Sequence, residues 1–166
     1  AGLSGPYVVE DFGPTERFPI TTGVLNSQTS FVPAFGLPIL PGDIAAGVTS
    51  STPVGEGFFF NIDLGGGFVG GFLDGFYGGD AARRLTVTFD APASAFGFDT
   101  NTLAPNLEVI VTFSDSSTQT YTTTVGCCDL SFYGFRSHNG ADIVSATIGG
   151  PDNGTFAFAI DNFTFT

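Results

Sequence analysis

Apolar and polar residues alternate through most of the second half of the chain with the two-residue period of half-buried strands. Leu85, Val87 and Phe89 share one parity and Thr86 and Thr88 the other, and the same pattern marks Leu107 to Phe113, Gln119 to Val125, Leu130 to Arg136 and Asp142 to Ile148. Asp90-Ala-Pro-Ala reads as a turn into a returning strand, Ser94 to Asp99. Ser114 to Thr118 reads as the polar turn of a hairpin between its two flanking runs. The closing run, Thr155 to Thr166, changes phase. Its large apolar residues are Phe156, Phe158 and Ile160, then Phe163 and Phe165, with Asp161-Asn162 at the switch. Such a switch without turn residues predicts a bulge or a sheet crossover at Asp161.

The first half is punctuated differently. Pro6 to Phe12 predicts a short first strand that carries Glu10 and Asp11 among apolar residues. From Gly13 to Pro53, Pro and Gly leave only short apolar pieces at Val24-Leu25, Phe31-Val32 and Ile39-Leu40, which predict loops and short edge strands. Gly57 to Leu64 alternates as a strand. Residues 65–79 form a Gly/Phe-rich insertion with a degenerate four-residue repeat that places Phe68, Phe72 and Phe76 on one face of an extended chain. Two readings stand for it: core strands with glycine bulges, or an exposed aromatic strip used for assembly, since Gly-rich strands fix their register weakly.

Strands recurring about every ten residues, twenty Phe and no sustained helical period predict an all-β protein, an antiparallel β-sandwich formed by residues 1–166 as one domain. The charge balance narrows its partners. Sixteen acidic residues face four Arg and no Lys, for a net charge of −12. That balance argues against nucleic acid and anionic membrane surfaces and in favour of divalent cations. Every apolar run is interrupted well short of the roughly 18 to 20 residues that span a bilayer. A chain beginning at Ala1 and lacking Met predicts removal of a secretory signal and a secreted or cell-surface location.

Cys127 and Cys128 are adjacent. Neighbouring Cα atoms lie about 3.8 Å apart, below the usual disulfide range of about 4.4 to 6.8 Å, so a bond between them needs a distorted or cis peptide. Separate thiols, a strained vicinal disulfide and bonds to a neighbouring subunit all remain open. Two Cys and one His are too few for a zinc site.

The stretch from Leu85 to Asp99, Phe132-Tyr-Gly-Phe-Arg-Ser137 and Phe158-Ala-Ile-Asp-Asn-Phe163 resemble the secreted β-sandwich domains of bacterial PEP-CTERM (exosortase-sorted) surface and matrix proteins. The resemblance covers Leu85 to Thr166 and the Glu10-Asp11-Phe12 opening, and lacks the Pro-Glu-Pro tail that is the hallmark of those proteins. It implies a jelly-roll-like sandwich whose first and last strands are neighbours, in an extracellular setting. In jelly-roll binding modules a structural calcium often sits between those strands, and Glu10, Asp11 and Asp161 match its position. Calcium suits an acidic secreted chain because it takes six to eight oxygen ligands.

Catalytic sets are weak. Tyr133, Arg136 and His138 would suit a polysaccharide lyase, but strand parity separates Tyr133 from the other two. No nucleophile-elbow signature is present, and no spacing singles out a carboxylate pair for glycoside cleavage. The leading expectation is a non-catalytic structural or adhesive subunit of an extracellular layer, matrix or filament, which associates with itself or with other surface components. The alternative is a carbohydrate-binding module, for which the aromatic platforms would come from Tyr7, Tyr77, Tyr121 and Tyr133 since Trp is absent. A small secreted polysaccharide-active enzyme comes third.

Overall fold

The computed structural model describes residues 6–10, 17–21, 24–32, 38–51, 58–61, 73–74, 84–102, 106–124, 131–149 and 158–166, with backbone alone considered at 17–21, 58–61, 73–74, 101–102 and 158–159. Among them the regular elements are all strands, and all strand pairs are antiparallel. In chain order they are β1 (Val8–Glu10), β2 (Arg17–Thr21), β3 (Val24–Leu25), β4 (Val48–Ser51), β5 (Phe58–Asn61), β6 (Leu73–Asp74) and β7 (Leu85–Ala93). After these come β8 (Ala95–Thr102), β9 (Asn106–Phe113), β10 (Thr118–Thr124), β11 (Ser131–Arg136), β12 (Ile143–Gly149) and β13 (Phe158–Phe165).

A four-stranded sheet, ordered β1-β13-β8-β11, faces a six-stranded sheet, ordered β10-β9-β12-β7-β4-β3. The chain is therefore a jelly-roll-like antiparallel β-sandwich. A three-stranded sheet, β2-β5-β6, lies against the four-stranded one where β6 meets β13. The expected adjacency of the chain ends is present: Val8, Val9 and Glu10 pair with Phe165, Thr164 and Phe163.

The alternation read from the sequence sorts the core. In β9, Leu107, Val109, Val111 and Phe113 are buried and the residues between them are half-buried. From the other sheet Phe96, Phe163 and Phe165 meet Phe89 of β7, whose ring centroid lies 5.6 Å from Phe96, 6.1 Å from Phe163 and 5.7 Å from Phe165. Phe98 and Phe163 stack at 6.3 Å with their planes 7° apart. Each such ring buries a large apolar surface, so a few Phe help to close the space between the layers.

The phase change in β13 is a bulge. Asp161 pairs with Asp99 and Thr164 with Gly97, so Asn162 and Phe163 together oppose Phe98. Asn162 has φ 48°, the left-handed conformation that the first residue of a G1-type bulge adopts and that Asn tolerates better than other side chains. Its side-chain Nδ2 donates to Asp99 Oδ2 at 2.9 Å. The extra residue turns Phe163 and Phe165 back toward the core.

One expectation is corrected. Asp90-Ala-Pro-Ala is no turn: β7 runs through it to Ala93, and the chain then bends at Ser94 and enters the opposite sheet as β8. Residues 89–92 bulge out of register with β12, where Ile143 pairs with Ala93 and Ser145 with Thr88, so Pro92 need not donate to the ladder. The Ser94 corner is tied to the C-terminus, with the Ser94 and Thr166 hydroxyls 2.6 Å apart and the Thr166 N–H donating to Ala95 O at 3.1 Å.

Candidate functional site

Two edge strands border the same opening of the sandwich. β10 ends the six-stranded sheet and β11 ends the four-stranded sheet, and the cleft between them, about 570 Å³, is walled by residues 120–123 and 133–138. The β10 edge arrives by a tight hairpin from β9. Ser116 takes φ 68°, and Asp115 Oδ1 accepts both the Ser117 N–H at 2.9 Å and the Ser117 hydroxyl at 2.6 Å. Those bonds, the hydroxyl first, hold the Asp115 carboxyl below its usual range, with a smaller contribution from the nearby His138.

The β11 edge is held by β8, with Phe135 opposite Phe96 and Tyr133 opposite Phe98. Phe135 stacks on Phe96 at 4.8 Å and on Phe98 at 6.2 Å, and Tyr121 of β10 meets it edge-on at 5.2 Å. Tyr121 is 38% exposed, so its ring borders the cleft while its hydroxyl donates to Gln119 Oε1. Beyond β11, His138-Asn139-Gly140-Ala141 closes a two-residue turn. Asn139 has φ 52° and Gly140 has φ 80°, the Asn-Gly signature of a type I′ turn. The turn leaves His138 exposed beside Phe113, with ring centroids 6.4 Å apart.

Burial along β11 alternates as expected, with Tyr133 and Phe135 half-buried and Phe132, Gly134 and Arg136 exposed. Tyr133 borders the cleft from the half-buried face of β11, and Arg136 and His138 border it from exposed positions. Thr123 also lines the cleft, and its buried hydroxyl has no hydrogen-bond partner.

Glu10 and Asp161, two of the three carboxylates expected to hold calcium, are not among the residues that line the cleft. Glu10 and Asp161 do not face solvent, at 3% and 2% exposed. Glu10 Oε2 accepts the Ala45 N–H, and Asp161 Oδ1 accepts the Asn162 N–H at 2.7 Å. Glu10 stands opposite Phe163 on the core side, whereas Asp161 stands opposite Asp99, which alternates with the inward Phe98 and Thr100. The two acids thus belong to opposite sides of one sheet. Among the described residues no three His, Cys, Asp or Glu side chains converge on a metal position. Asp11, Phe68, Phe72, Phe76, Cys127 and Cys128 lie outside the described residues.

No protein-family model and no curated protein matches the chain. Solved structures do. A family 29 carbohydrate-binding module in complex with mannohexaose aligns at a TM-score of 0.47 with 7% identity, over 98% of this chain and 92% of that one. A second single-site mutant of the same module gives 0.47 with 11% identity over the same shares, and a mutant of a family 29 carbohydrate-binding module gives 0.47 with 12% identity over 96% and 90%.

Sequence reading misses the cleft as a unit. Tyr121 enters it only as one of four tyrosines, and Phe135 and Thr123 do not stand out. The available signal is that Tyr121 is the one ring in a Thr-rich run, where it has few apolar neighbours of its own to bury it.

Proposed function

We propose that this domain is a non-catalytic glycan-binding module whose ligand lies along the cleft between β10 and β11. The observation that carries the reading is the cleft's lining, in which Tyr121, Tyr133 and Phe135 stand with Thr120, Thr122 and Ser137. A sugar ring offers an apolar face of C–H groups and a rim of hydroxyls, and open clefts with aromatic walls and a few polar groups match that pairing. No Asp or Glu is among the described residues that line it, whereas glycoside cleavage uses a flanking carboxylate pair. The lining therefore favours binding over turnover.

Calorimetric titration against a panel of oligosaccharides tests this. Tyr121→Ala is expected to weaken binding by roughly tenfold or more, equivalent to about 1.4 kcal/mol, with the melting temperature unchanged within a degree or two. Binding that survives Tyr121→Ala and Phe135→Leu unaltered, or a panel with no binder, rejects the cleft as the site.

A self-associating structural subunit is the second reading, and it rests on β1. That edge strand and the residue before it expose Tyr7 by 58%, Val8 by 40% and Val9 by 44%. An exposed apolar edge is a template for pairing with another chain. Sedimentation velocity at rising concentration separates the two: a monomer throughout removes this second reading and leaves the first intact.

A further inference from the structure

The cleft stands out against the rest of the molecule in charge. The chain carries sixteen acids against four Arg and one His, yet no acid lines the cleft among the described residues, and Arg136 and the sole His do. Arg136 is exposed and makes no ion pair with a described residue. Arg84, by contrast, is committed to Glu108 at 2.6 Å. In a protein with a net charge of −12, an arginine without an ion-pair partner among the described residues, set beside aromatic rings in a cleft wall that holds no carboxylate, is a cation left available to a ligand.

We infer that the cleft selects an anionic glycan, in which one sugar carries a carboxylate or a sulfate held by Arg136 while Tyr121 packs against a sugar ring. This rests on the reading of the cleft as a glycan site. The planar guanidinium offers paired N–H donors that match two oxygens of a carboxylate or a sulfate, which a hydrated ammonium does less well. The aromatic walls displace water from one side of the contact and so strengthen it. The overall negative charge opposes an anionic chain at long range. Screening at about 0.15 M salt confines that opposition to about 8 Å.

The test uses the intact domain and three oligosaccharides of equal length at physiological salt: oligogalacturonate, a sulfated galactan fragment and a neutral cello-oligosaccharide. At least one anionic ligand is expected to bind about tenfold or more tightly than the neutral one. Arg136→Gln, at an exposed position, should abolish that preference while leaving the melting temperature unchanged, and Arg136→Lys should restore only part of it. The oligogalacturonate and sulfated arms tell carboxylate from sulfate. Equal or tighter binding of the neutral sugar overturns the inference but keeps the cleft as a glycan site, as does an anionic preference that survives Arg136→Gln. If none of the three binds, the glycan reading of the cleft and this inference fail together.

Discussion

Gly97 shows how one missing side chain shapes the outer face of the four-stranded sheet. It pairs with Gly134 across β8 and β11, and the exposed ring of Phe132 lies over both. A Cβ built on Gly97 would come within 2.6 Å of the Phe132 ring and 2.9 Å of the Tyr133 carbonyl oxygen. Large rings laid over cross-strand glycines supply the cover that a glycine lacks, so the glycine and the ring form one device. Gly97→Ala is therefore expected to destabilise the fold by about 1–3 kcal/mol, read as a lower denaturation midpoint at unchanged slope. Phe132→Ala in the same chain should relieve only part of the loss, because the carbonyl contact remains. Additive effects of the two substitutions would show that the ring is not what occupies the space. Asn162 is the complementary case, a residue whose side chain both tolerates φ 48° and bonds Asp99.

Strands are legible in the sequence where each has one dry and one wet face. β9 and β12 declare themselves by alternation, and β13 declares an irregularity at Asp161, because a slipped parity calls for a bulge or a sheet crossover, of which the structure has the bulge. The Ser94 corner is not legible: Asp-Ala-Pro-Ala has the composition of a turn, and the strand continues only because residues 89–92 bulge away from β12. The cleft is hidden for a related reason. It is made by two edges distant in sequence, and no local pattern announces that β10 and β11 end facing sheets on the same side. The β9–β10 hairpin that delivers one of those edges carries a pH signature. Asp115 is lowered mainly by the Ser117 hydroxyl and then by the Ser117 N–H, so its folded form favours the carboxylate. A group lowered in the folded state stabilises above its unfolded pKa, and that contribution is lost as pH falls through the folded one. An NMR titration should find the Asp115 midpoint below the usual carboxylate range, and Ser117→Ala should move it upward. A midpoint indifferent to Ser117→Ala would mean that the turn is held without that bond.

At the scale of the whole molecule, the chief electrostatic influence on stability is self-repulsion. A charge of −12 on 166 residues without a lysine makes compaction work against its own field, and mobile ions weaken that field. The melting temperature is expected to rise as sodium chloride goes from about 10 to 150 mM and then to level off once the Debye length falls to about 8 Å. Magnesium at matched ionic strength should give a similar rise if screening alone is at work. A calcium ion held by Glu10, Asp11 and Asp161 would add something that screening does not mimic, since a ligand bound only by the folded state raises stability in proportion to the logarithm of its concentration. Its mark would be a further increase of several degrees with calcium but not magnesium, reversed by chelation and absent in Asp161→Ala. Glu10 and Asp161 lie on opposite sides of their sheet and each accepts a backbone N–H, so one ion reaching both would have to rearrange the β1–β13 end of the sandwich. Coincident calcium and magnesium curves would leave repulsion as the sole account of how ions stabilise this protein.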